Sequence, residues 1–417
     1  MTEQAKVPAI RFAGFTDPWE QRKFGDCFEF LKSNTLSRAG LNGENGTARN
    51  VHYGDILIKF GDCLDDERSD LPFITDDTVL PKYAGSILRE GDVIFADTAE
   101  DETAGKCVEL RKLPKEPTIS GLHTIPARPR FPFGTGYLGH YLNSDAYHRQ
   151  LLPLMQGIKV ISVSKAALQD TQVRFPGLSE QSAIGAALNE IDSLITLHQR
   201  KYGKLVVFKK SMLEKMFPKD GESVPEIRFA GFTDPWEQRK LGDVTDSFSG
   251  GTPDGSHASY YGGSIPFIRS AEINSDKTEL FLTEKGLDNS SAKIVERGTV
   301  LYALYGATSG EVGIAAIKGA INQAILALSP HTGNDPLFLA SWLRREKARI
   351  VDTYLQGGQG NLSGSIVKEL SFALPQQKEQ QVIGSFFSHL DNLITLHQRK
   401  LELLQNIKKS LFDKMFV

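Results

Sequence analysis

Cysteine is scarce in this 417-residue chain, and the scarcity narrows the structural possibilities. The three cysteines, Cys27, Cys63 and Cys107, are odd in number and form no CxxC pair. A disulfide framework needs paired cysteines and a zinc ribbon needs closely spaced ones. Neither is therefore predicted, and we expect ordinary thiols and no metal site.

Long apolar runs and a strong net charge are also lacking. No stretch of about 18 apolar residues occurs, and the first residues, MTEQAKVPAIRFAG, contain no apolar signal segment. These absences predict a cytoplasmic protein that does not enter a membrane. The formal net charge is only −3, so no overall basic field attracts nucleic acid. Any DNA-binding surface is then local or partly supplied by another subunit.

The common enzyme motifs are missing as well. There is no GxxxxGK[ST] loop, no Asp/Asn-Pro-Pro-aromatic run and no HExxH helix. The segment Gly134–Gly139, GTGYLG, matches GxGxxG, but a dinucleotide site needs a buried strand before it and an acidic residue about 20 positions later. The preceding PARPRFP is too rich in proline, and the downstream QGIKVIS contains no acid. We predict no cofactor and no catalytic residue in this chain.

What the chain does contain is a repeat. Residues Ile10–Asp26, IRFAGFTDPWEQRKFGD, return as Ile227–Asp243 with one difference, Phe24 against Leu241. Two shorter pairs follow in the same order, DSLITLHQRK with DNLITLHQRK and KKSMLEKMF with KKSLFDKMF. The interiors between these flanks, residues 27–175 and 244–374, hardly resemble each other. A duplicated frame with unlike interiors indicates two related modules that act on different targets.

Each unit ends in a segment whose apolar residues recur at steps of three and four, which predicts a long coiled-coil helix. Pro176 and Pro375, each followed by an acid and an amide, suit a first helical turn. The apolar residues at these steps form a seam along each helix. Because the seams of the two helices nearly match, we expect the helices to pair antiparallel about a pseudo-two-fold axis. The predicted seam residues are Ile184, Leu188, Ile191, Ile195, Leu205, Ile383, Phe387, Leu390, Ile394, Leu401 and Leu404.

Short apolar runs and glycine-rich turns in both interiors predict α+β domains. TVLYALY (residues 299–305) and VGIAA (312–316) have the pattern of strands, and helices are expected over residues 336–355 and about 136–152. Loops rich in Asn, Gln, Ser, Thr and Arg on a β scaffold suit the readout of base edges. The same residues are equally ordinary in turns.

Several of these segments resemble the specificity subunit of a type I restriction-modification enzyme. They are the two PWEQRK-x-GD repeats, the run from GGTP to YYGGSIPFIRS, and the segments YALYGATSGEVGI, QGGQGNLSG and LPQQKEQQVIG. The resemblance covers essentially the whole chain. It is strongest in the second interior and the helices and weaker in the first interior.

This resemblance implies two tandem α/β target-recognition domains separated by two long helices that form an antiparallel coiled coil. Each domain would read one half of a bipartite site on double-stranded DNA, and the helices would set the gap. Two methyltransferase subunits, which carry S-adenosylmethionine, would dock on this chain. Two restriction subunits, which use ATP and Mg, would join the full complex. The chain itself would catalyse nothing.

On this interpretation the first target-recognition domain spans residues 1–176, the first helix 177–217, a linker 218–226, the second domain 227–375 and the second helix 376–417. The candidate DNA contacts are polar residues of loops and strand ends. In the first domain they are Arg38, Asn42, Asn45, His52, Lys59, Arg128 and Arg130. In the second they are Thr252, Arg269, Ser270, Tyr305, Thr308, Gln359, Asn361 and Ser363.

Three other functions fit parts of the pattern. A free-standing, repressor-like DNA binder with two unequal readers is one, although the weak charge balance argues that partners help to hold the phosphates. A coiled-coil scaffold that displays two protein-binding domains is another, and a dehydrogenase is the enzyme alternative. Salt-sensitive, sequence-dependent DNA binding only after addition of partners separates the specificity subunit from the repressor and the scaffold. Binding of a nicotinamide cofactor tests the dehydrogenase.

Overall fold

A computed structural model describes residues 7–65, 71–355 and 362–417. The chain divides into two compact units, one formed by Met1–His198 with Lys400–Val417 and the other by Gln199–Arg399. Among the described residues, every helix is too short or too polar to span a lipid bilayer.

The first unit contains two main sheets and several short helices. Its strands are β1 (Glu20–Lys23), β2 (Phe28–Phe30), β3 (Leu41–Asn42), β4 (Arg49–Val51), β5 (Cys63–Asp65), β6 (Phe73–Ile74), β7 (Val93–Ala96), β8 (Thr98–Ala99), β9 (Cys107–Lys112), β10 (Thr118–Ser120), β11 (Thr124–Pro129), β12 (Ile161–Ser162) and β13 (Gln172–Phe175). Its helices are α1 (Phe24–Cys27), α2 (Tyr53–Ile58), α3 (Tyr137–Asn143), α4 (Asp145–His148), α5 (Lys165–Asp170) and the first half of α6 (Leu178–Lys215). In the described part of this unit, 3-10 helices lie at Arg38–Gly40, Asp77–Ser86 and Leu152–Leu154.

The second unit has fewer strands and one longer helix of its own. Its strands are β14 (Glu237–Lys240), β15 (Thr245–Ser249), β16 (Tyr261–Ile268), β17 (Phe281–Leu282), β18 (Lys293–Val295), β19 (Val300–Ala303), β20 (Val312–Ile314), β21 (Gly319–Ile321), β22 (Ile325–Pro330) and β23 (Ser371–Leu374). Its helices are α7 (Leu241–Val244), α8 (Glu284–Asp288), α9 (Pro336–Leu355), α10 (Gly364–Glu369) and the first part of α11 (Gln377–Met415). Two 3-10 helices lie at Ala258–Tyr260 and Ser270–Glu272.

The two interiors share one strand arrangement although their sequences differ. The order β2-β11-β7-β9 in the first unit matches β15-β22-β19-β20 in the second. In a further sheet of each unit, one pair of strands runs parallel, β4 with β10 and β16 with β21. The central strands β7 and β19, VIFA and VLYA, are buried along their whole length, as expected for strands covered on both faces. The expected α+β fold with two domains is confirmed.

The repeated segments join the long helices to each unit. In the first unit, Ile10 N–H donates to Lys414 O near the end of α11 (3.0 Å), and strand β1 pairs with β13 just before α6. In the second unit, Ile227 N–H donates to Lys215 O near the end of α6 (2.9 Å), and β14 pairs with β23 just before α11. Each repeat therefore connects the end of one long helix to the strand that leads into the other.

An arginine in each repeat also binds the first turn of a long helix. Arg11 Nε and Nη2 donate to the two Glu180 carboxylate oxygens at 2.7 and 2.5 Å. Arg228 Nε and Nη2 make the same contacts with Glu379, both at 2.7 Å. The acids lie at a helix N-terminus, where a negative charge also stabilises the helix dipole. These shared contacts give a physical reason for the near-identity of the two repeats.

Helices α6 and α11 contact each other within each unit, as expected for a coiled coil. In the first unit, Ile184 and Leu188 of α6 share a core with Met415 and Phe416 of α11. Further along α6, Asp192 lies 2.7 Å from Lys408. Because the partner number falls as the α6 number rises, the two helices run antiparallel.

The residues predicted for the helix seam differ in their burial. Five are buried in the cores, namely Ile184, Leu188, Ile383, Phe387 and Leu390. Six are partly exposed, namely Ile191, Ile195, Leu205, Ile394, Leu401 and Leu404. Burial therefore decreases from the ends of the paired helices toward their middle.

Helix predictions inside the two modules had different outcomes. The helix expected over residues 336–355 is α9, with those same bounds. The single helix expected from about 136 to 152 is wrong, because α3 ends at Asn143 and α4 covers only Asp145–His148. Ser144, between them, has an extended backbone, and its hydroxyl donates to Tyr141 O at 2.6 Å. This local hydrogen bond ends the first helix in the way serine side chains commonly do.

Candidate nucleic-acid interface

Predicted contact residues of the second unit gather on consecutive strand ends, which we call the second rim. It consists of the predicted residues Thr252, Arg269, Ser270, Tyr305, Thr308 and Ser363, together with Gln323, which was not predicted. Gly251 N–H donates to Ile321 O (3.2 Å), which brings the segment that carries Thr252 to the end of β21. Leu362 N–H donates to Leu304 O (3.0 Å), which places the Ser363 turn beside the Tyr305 loop. Gln359 and Asn361, also predicted, lie outside the described residues.

Two side chains of the second rim are fixed by contacts within it. The Thr252 hydroxyl donates to Gln323 Oε1. Ser363 accepts a hydrogen bond from Ile366 N–H (3.2 Å) and so caps α10, which is a common role of serine before a helix. These contacts orient both side chains without burying them.

Arg269 is held between two carboxylates. Its Nη2 lies 2.8 Å from Glu272 Oε1 and 2.8 Å from Glu279 Oε2. The hydrogen bond to Glu272, followed by that to Glu279, raises the pKa of Arg269. Burial alone would raise the pKa of Glu272, but the hydrogen bonds from Arg269 lower it to about 2. Arg269 therefore remains charged, and a DNA contact would use the part of the guanidinium that these acids leave exposed.

The corresponding strand ends of the first unit form what we call the first rim. It consists of Tyr53, Asp97, His123 and Ser164, which are at least partly exposed, together with the buried Asn34 and His52. Asp97 N–H donates to His123 O (3.1 Å), as Leu304 N–H donates to Ala324 O (2.8 Å) in the second unit. His52 directly follows β4, and Arg269 directly follows β16. Because β4 and β16 each belong to a parallel strand pair, the two residues occupy corresponding positions in the two units.

Three predicted residues of the first unit surround the buried Asp55. Arg38 Nη1 lies 2.8 Å and Lys59 Nζ 3.1 Å from its carboxylate. Burial alone would raise the pKa of Asp55, but Arg38 and Lys59 lower it. His52 Nδ1 accepts a hydrogen bond from Gly54 N–H (3.1 Å) and caps α2. Burial, followed by the charge of Arg38, lowers the pKa of His52, so the ring is neutral near pH 7.

Two predicted asparagines lie on a turn next to this group. Asn42 Oδ1 accepts hydrogen bonds from Glu44 and Asn45 N–H, both at 3.0 Å, which is an Asx turn. Asn42 also lines a cleft of about 470 Å³ together with Arg38, Arg49 and Lys59. This cleft combines three cations with amide groups, a suitable lining for phosphate and base-edge contacts.

Arg128 and Arg130 lie in a different cleft. Arg128 Nε and Nη2 donate to the buried Asp92 at 2.9 and 2.7 Å, and Arg130 Nε donates to Phe28 O at 3.2 Å. The cleft measures about 500 Å³ and is also lined by Arg89 and Arg111. The structure therefore does not bring these two arginines together with the Asp55 group in one cleft.

The GxGxxG segment is occupied by a carboxylate of the chain itself. Glu109 is buried and accepts hydrogen bonds from Gly136 N–H (2.6 Å) and Gly139 N–H (2.8 Å). Burial raises the pKa of Glu109, although the two amides oppose that shift. The helix N-terminus that would hold a dinucleotide phosphate is thus already occupied by the carboxyl group of Glu109.

A cluster of potential metal ligands in the first unit contains a lysine that binds both of its carboxylates. Asp62, His140 and Asp192 place one ligand atom each within 4.8 Å of one another. Lys408 Nζ lies 2.7 Å from Asp62 Oδ2 and 2.7 Å from Asp192 Oδ1. Burial alone would lower the pKa of Lys408, but Asp62 and Asp192 raise it, so the ammonium is the cation of this cluster.

Several rim residues carry little signal in the sequence. Gln323, Asp97 and His123 were not predicted because no short motif marks them. Each lies at a strand end that becomes part of a rim only through pairing with distant segments. The one signal available was the position of Gln323 just before the apolar run of β22.

Comparisons with known proteins agree with this architecture. Residues 233–406 match the family described as the type I restriction modification DNA specificity domain. The chain is 22% identical over 413 residues, 95% of this chain and 92% of the other, to a Methanocaldococcus jannaschii protein described as the specificity subunit of type I restriction enzyme MjaX. It is 28% identical over 193 residues, 44% of each chain, to the MjaIX specificity subunit of the same organism.

A solved structure shows the same fold. The crystal structure of the type I restriction-modification system S subunit from M. genitalium matches with a TM-score of 0.64 and 14% identity, over 99% of both chains. The class that the family match defines, over residues 233–406, is a DNA specificity domain of type I restriction-modification. By these matches the chain is similar to specificity subunits of type I restriction-modification systems.

Proposed function

We propose that each of the two interiors reads one half of a bipartite target on double-stranded DNA, and that helices α6 and α11 set the gap between the halves. The observation that carries the proposal is that one strand arrangement displays two different sets of side chains, those of the first and second rims. Two domains that share a fold but differ in their exposed side chains are suited to two half-sites of different sequence. The domain bounds proposed from the sequence, 1–176 and 227–375 with helices 177–217 and 376–417, fit this division of roles.

We further propose that two methyltransferase subunits dock on the paired helices, and that two restriction subunits complete the assembly. Leu197 and Leu396, at matching places in the repeated DSLITLHQRK and DNLITLHQRK segments, are 44% and 46% exposed. Two copies of one partner need two copies of one surface, and these leucines supply such a pair. S-adenosylmethionine then belongs to the methyltransferase subunits, ATP and Mg to the restriction subunits, and the assembly works in the cytoplasm.

A map of methylated adenines tests the proposal. Cells that express this chain with its methyltransferase subunit should gain a two-part methylated motif with a fixed gap, and cells without the chain should not. Exchange of residues 244–374 for the matching segment of another specificity subunit should then change one half of the motif only. No new motif from an assembled complex, or a change in both halves after the exchange, contradicts the proposal.

Arg269→Ala is expected to weaken recognition of one half-site only. Because Nε and Nη2 already donate to Glu272 and Glu279, the base contact would come from Nη1, and the expected loss is about 1 kcal/mol of binding free energy, the lower end of the range for a base contact. Duplexes with substitutions in either half-site, titrated with the assembled complex, measure the effect. Arg239→Ala is the matched control, because Arg239 is exposed on β14, outside both rims. Equal losses at both half-sites, or no loss at all, would exclude this role for Arg269.

A further inference from the structure

We propose that His123, at the first rim, contacts a base of the first half-site and helps to determine its sequence. The inference rests on the proposed function and adds a residue to it. His123 lies in the short loop between β10 and β11, residues 121–123, which corresponds to residues 322–324 of the second unit. That corresponding loop carries Gln323, whose side chain accepts the hydrogen bond from Thr252 in the second rim.

The backbone of His123 is the first supporting observation. Its φ is +55°, and no other residue except glycine has a positive φ in ranges 7–65, 71–355 and 362–417. A histidine in the left-handed region costs free energy that a glycine at the same place would not. Such strain persists mainly where the side chain or the turn has a function.

The side chain of His123 is exposed, yet it is oriented. It is 48% exposed, and its Nδ1 lies 3.4 Å from Asp97 Oδ1. The ring of Tyr53 meets the His123 ring edge to face, with 5.4 Å between the ring centres. Two neighbours from separate segments therefore direct a half-exposed ring out of the rim.

Asp97 also determines which nitrogen of His123 is free to act. A carboxylate beside Nδ1 favours the tautomer with hydrogen on Nδ1, which leaves Nε2 of a neutral ring as an acceptor. In the major groove the hydrogen-bond donors of the bases are the N6 amino group of adenine and the N4 amino group of cytosine. His123 is therefore expected to accept a hydrogen bond from one such amino group.

His123→Gly separates this proposal from a purely structural role. Glycine tolerates a φ of +55°, so the variant should fold with an unchanged or higher melting temperature while it loses the ring. The assembled complex of this chain with methyltransferase subunits is titrated with duplexes in which each half-site base pair is changed in turn. For the wild-type complex, a change of the base pair at one position of the first half-site should lower the affinity about tenfold. In the His123→Gly complex the same change should not lower the affinity. Changes in the second half-site should lower the affinity of the variant complex as much as that of the wild type.

Base analogues sharpen the test. Replacing adenine by purine, or cytosine by 2-pyrimidinone, removes the amino group at that position. The wild-type complex should lose about tenfold in affinity, and the His123→Gly complex should lose nothing further, because the two changes remove one hydrogen bond.

Two results would overturn the inference. One is that every base change in the first half-site lowers the affinity of the His123→Gly complex as much as that of the wild type. The other is that the base analogue lowers the affinity of both complexes equally. Should His123→Gly fail to fold, His123→Ala takes its place, since alanine also removes the ring and, unlike asparagine, offers no acceptor to an amino group of a base. Failure of the wild-type complex to recognise any two-part sequence would instead contradict the proposed function itself.

Discussion

Replacement of Arg11 by methionine is expected to lower the free energy of unfolding by about 3–5 kcal/mol, because it leaves the Glu180 carboxylate buried without its counter-charge. The two side chains are only 10% and 3% exposed. Arg228→Met should have the same effect through Glu379, since that pair is 12% and 1% exposed. Urea unfolding measures the loss, and hydrogen exchange of peptides from each unit shows where it falls.

Arg22→Met is the matched control for this prediction. Arg22 lies in the same repeat as Arg11 and pairs with Glu20 at 2.7 Å, but the two side chains are 49% and 59% exposed. Exposed pairs of this kind contribute up to about 1 kcal/mol. A loss from Arg22→Met as large as that from Arg11→Met would mean that burial is not the cause.

Lys408→Met is expected to destabilise the first unit by about 3 kcal/mol or more, because Asp62 and Asp192 lose their shared cation. Lys209→Met provides the comparison in the second unit. Lys209 pairs with Asp391, but that acid also lies 3.1 Å from Arg344 Nη1 and keeps this partner. The loss from Lys209→Met should therefore be clearly smaller, and a larger loss would refute the argument.

Lys408→Met should also change how the stability of the protein depends on acid. Burial alone would raise the pKa of Asp62, but the hydrogen bond from His140 and the charge of Lys408 lower it to about 2, below its ordinary value of 3.8. A carboxyl whose folded pKa is depressed stabilises the fold above its unfolded pKa, and this contribution is lost as pH falls from about 4 to 2. Without Lys408 the folded pKa rises, so the remaining contribution is smaller. Unfolding free energies from pH 7 to pH 3 should show a weaker acid-dependent loss in the variant.

The frame of the molecule could be predicted from the sequence because its signals are local. The repeats were visible as near-identical strings, and the seam residues recur at helical spacing, so helices α6 and α11 were found within a few residues of their observed ends. The shared strand order of the two interiors had no such signal. Strands as short as β3 carry too few residues for a pattern, and only the apolar runs of β7 and β19 resemble each other.

The rims were harder to predict because pairing between distant segments creates them. Tyr305 and Ser363 become neighbours through one backbone hydrogen bond between Leu304 and Leu362. Nothing in the spacing showed that Arg128 is bound to Asp92 or that Arg269 lies between two acids. The positive φ of His123 has no sequence signal either, since glycine is the residue that normally indicates it.

The division of the long helices between the two units has a consequence for synthesis on the ribosome. The first unit needs Lys408, Met415 and Phe416, which are translated roughly 200 residues after the N-terminal segment of that unit ends at His198. At roughly 5–20 residues per second, its core waits at least about ten seconds after residue 198 has been made. A premature stop codon within α11 would therefore leave the first unit without these core residues, so this unit can be completed only after α11 has been translated.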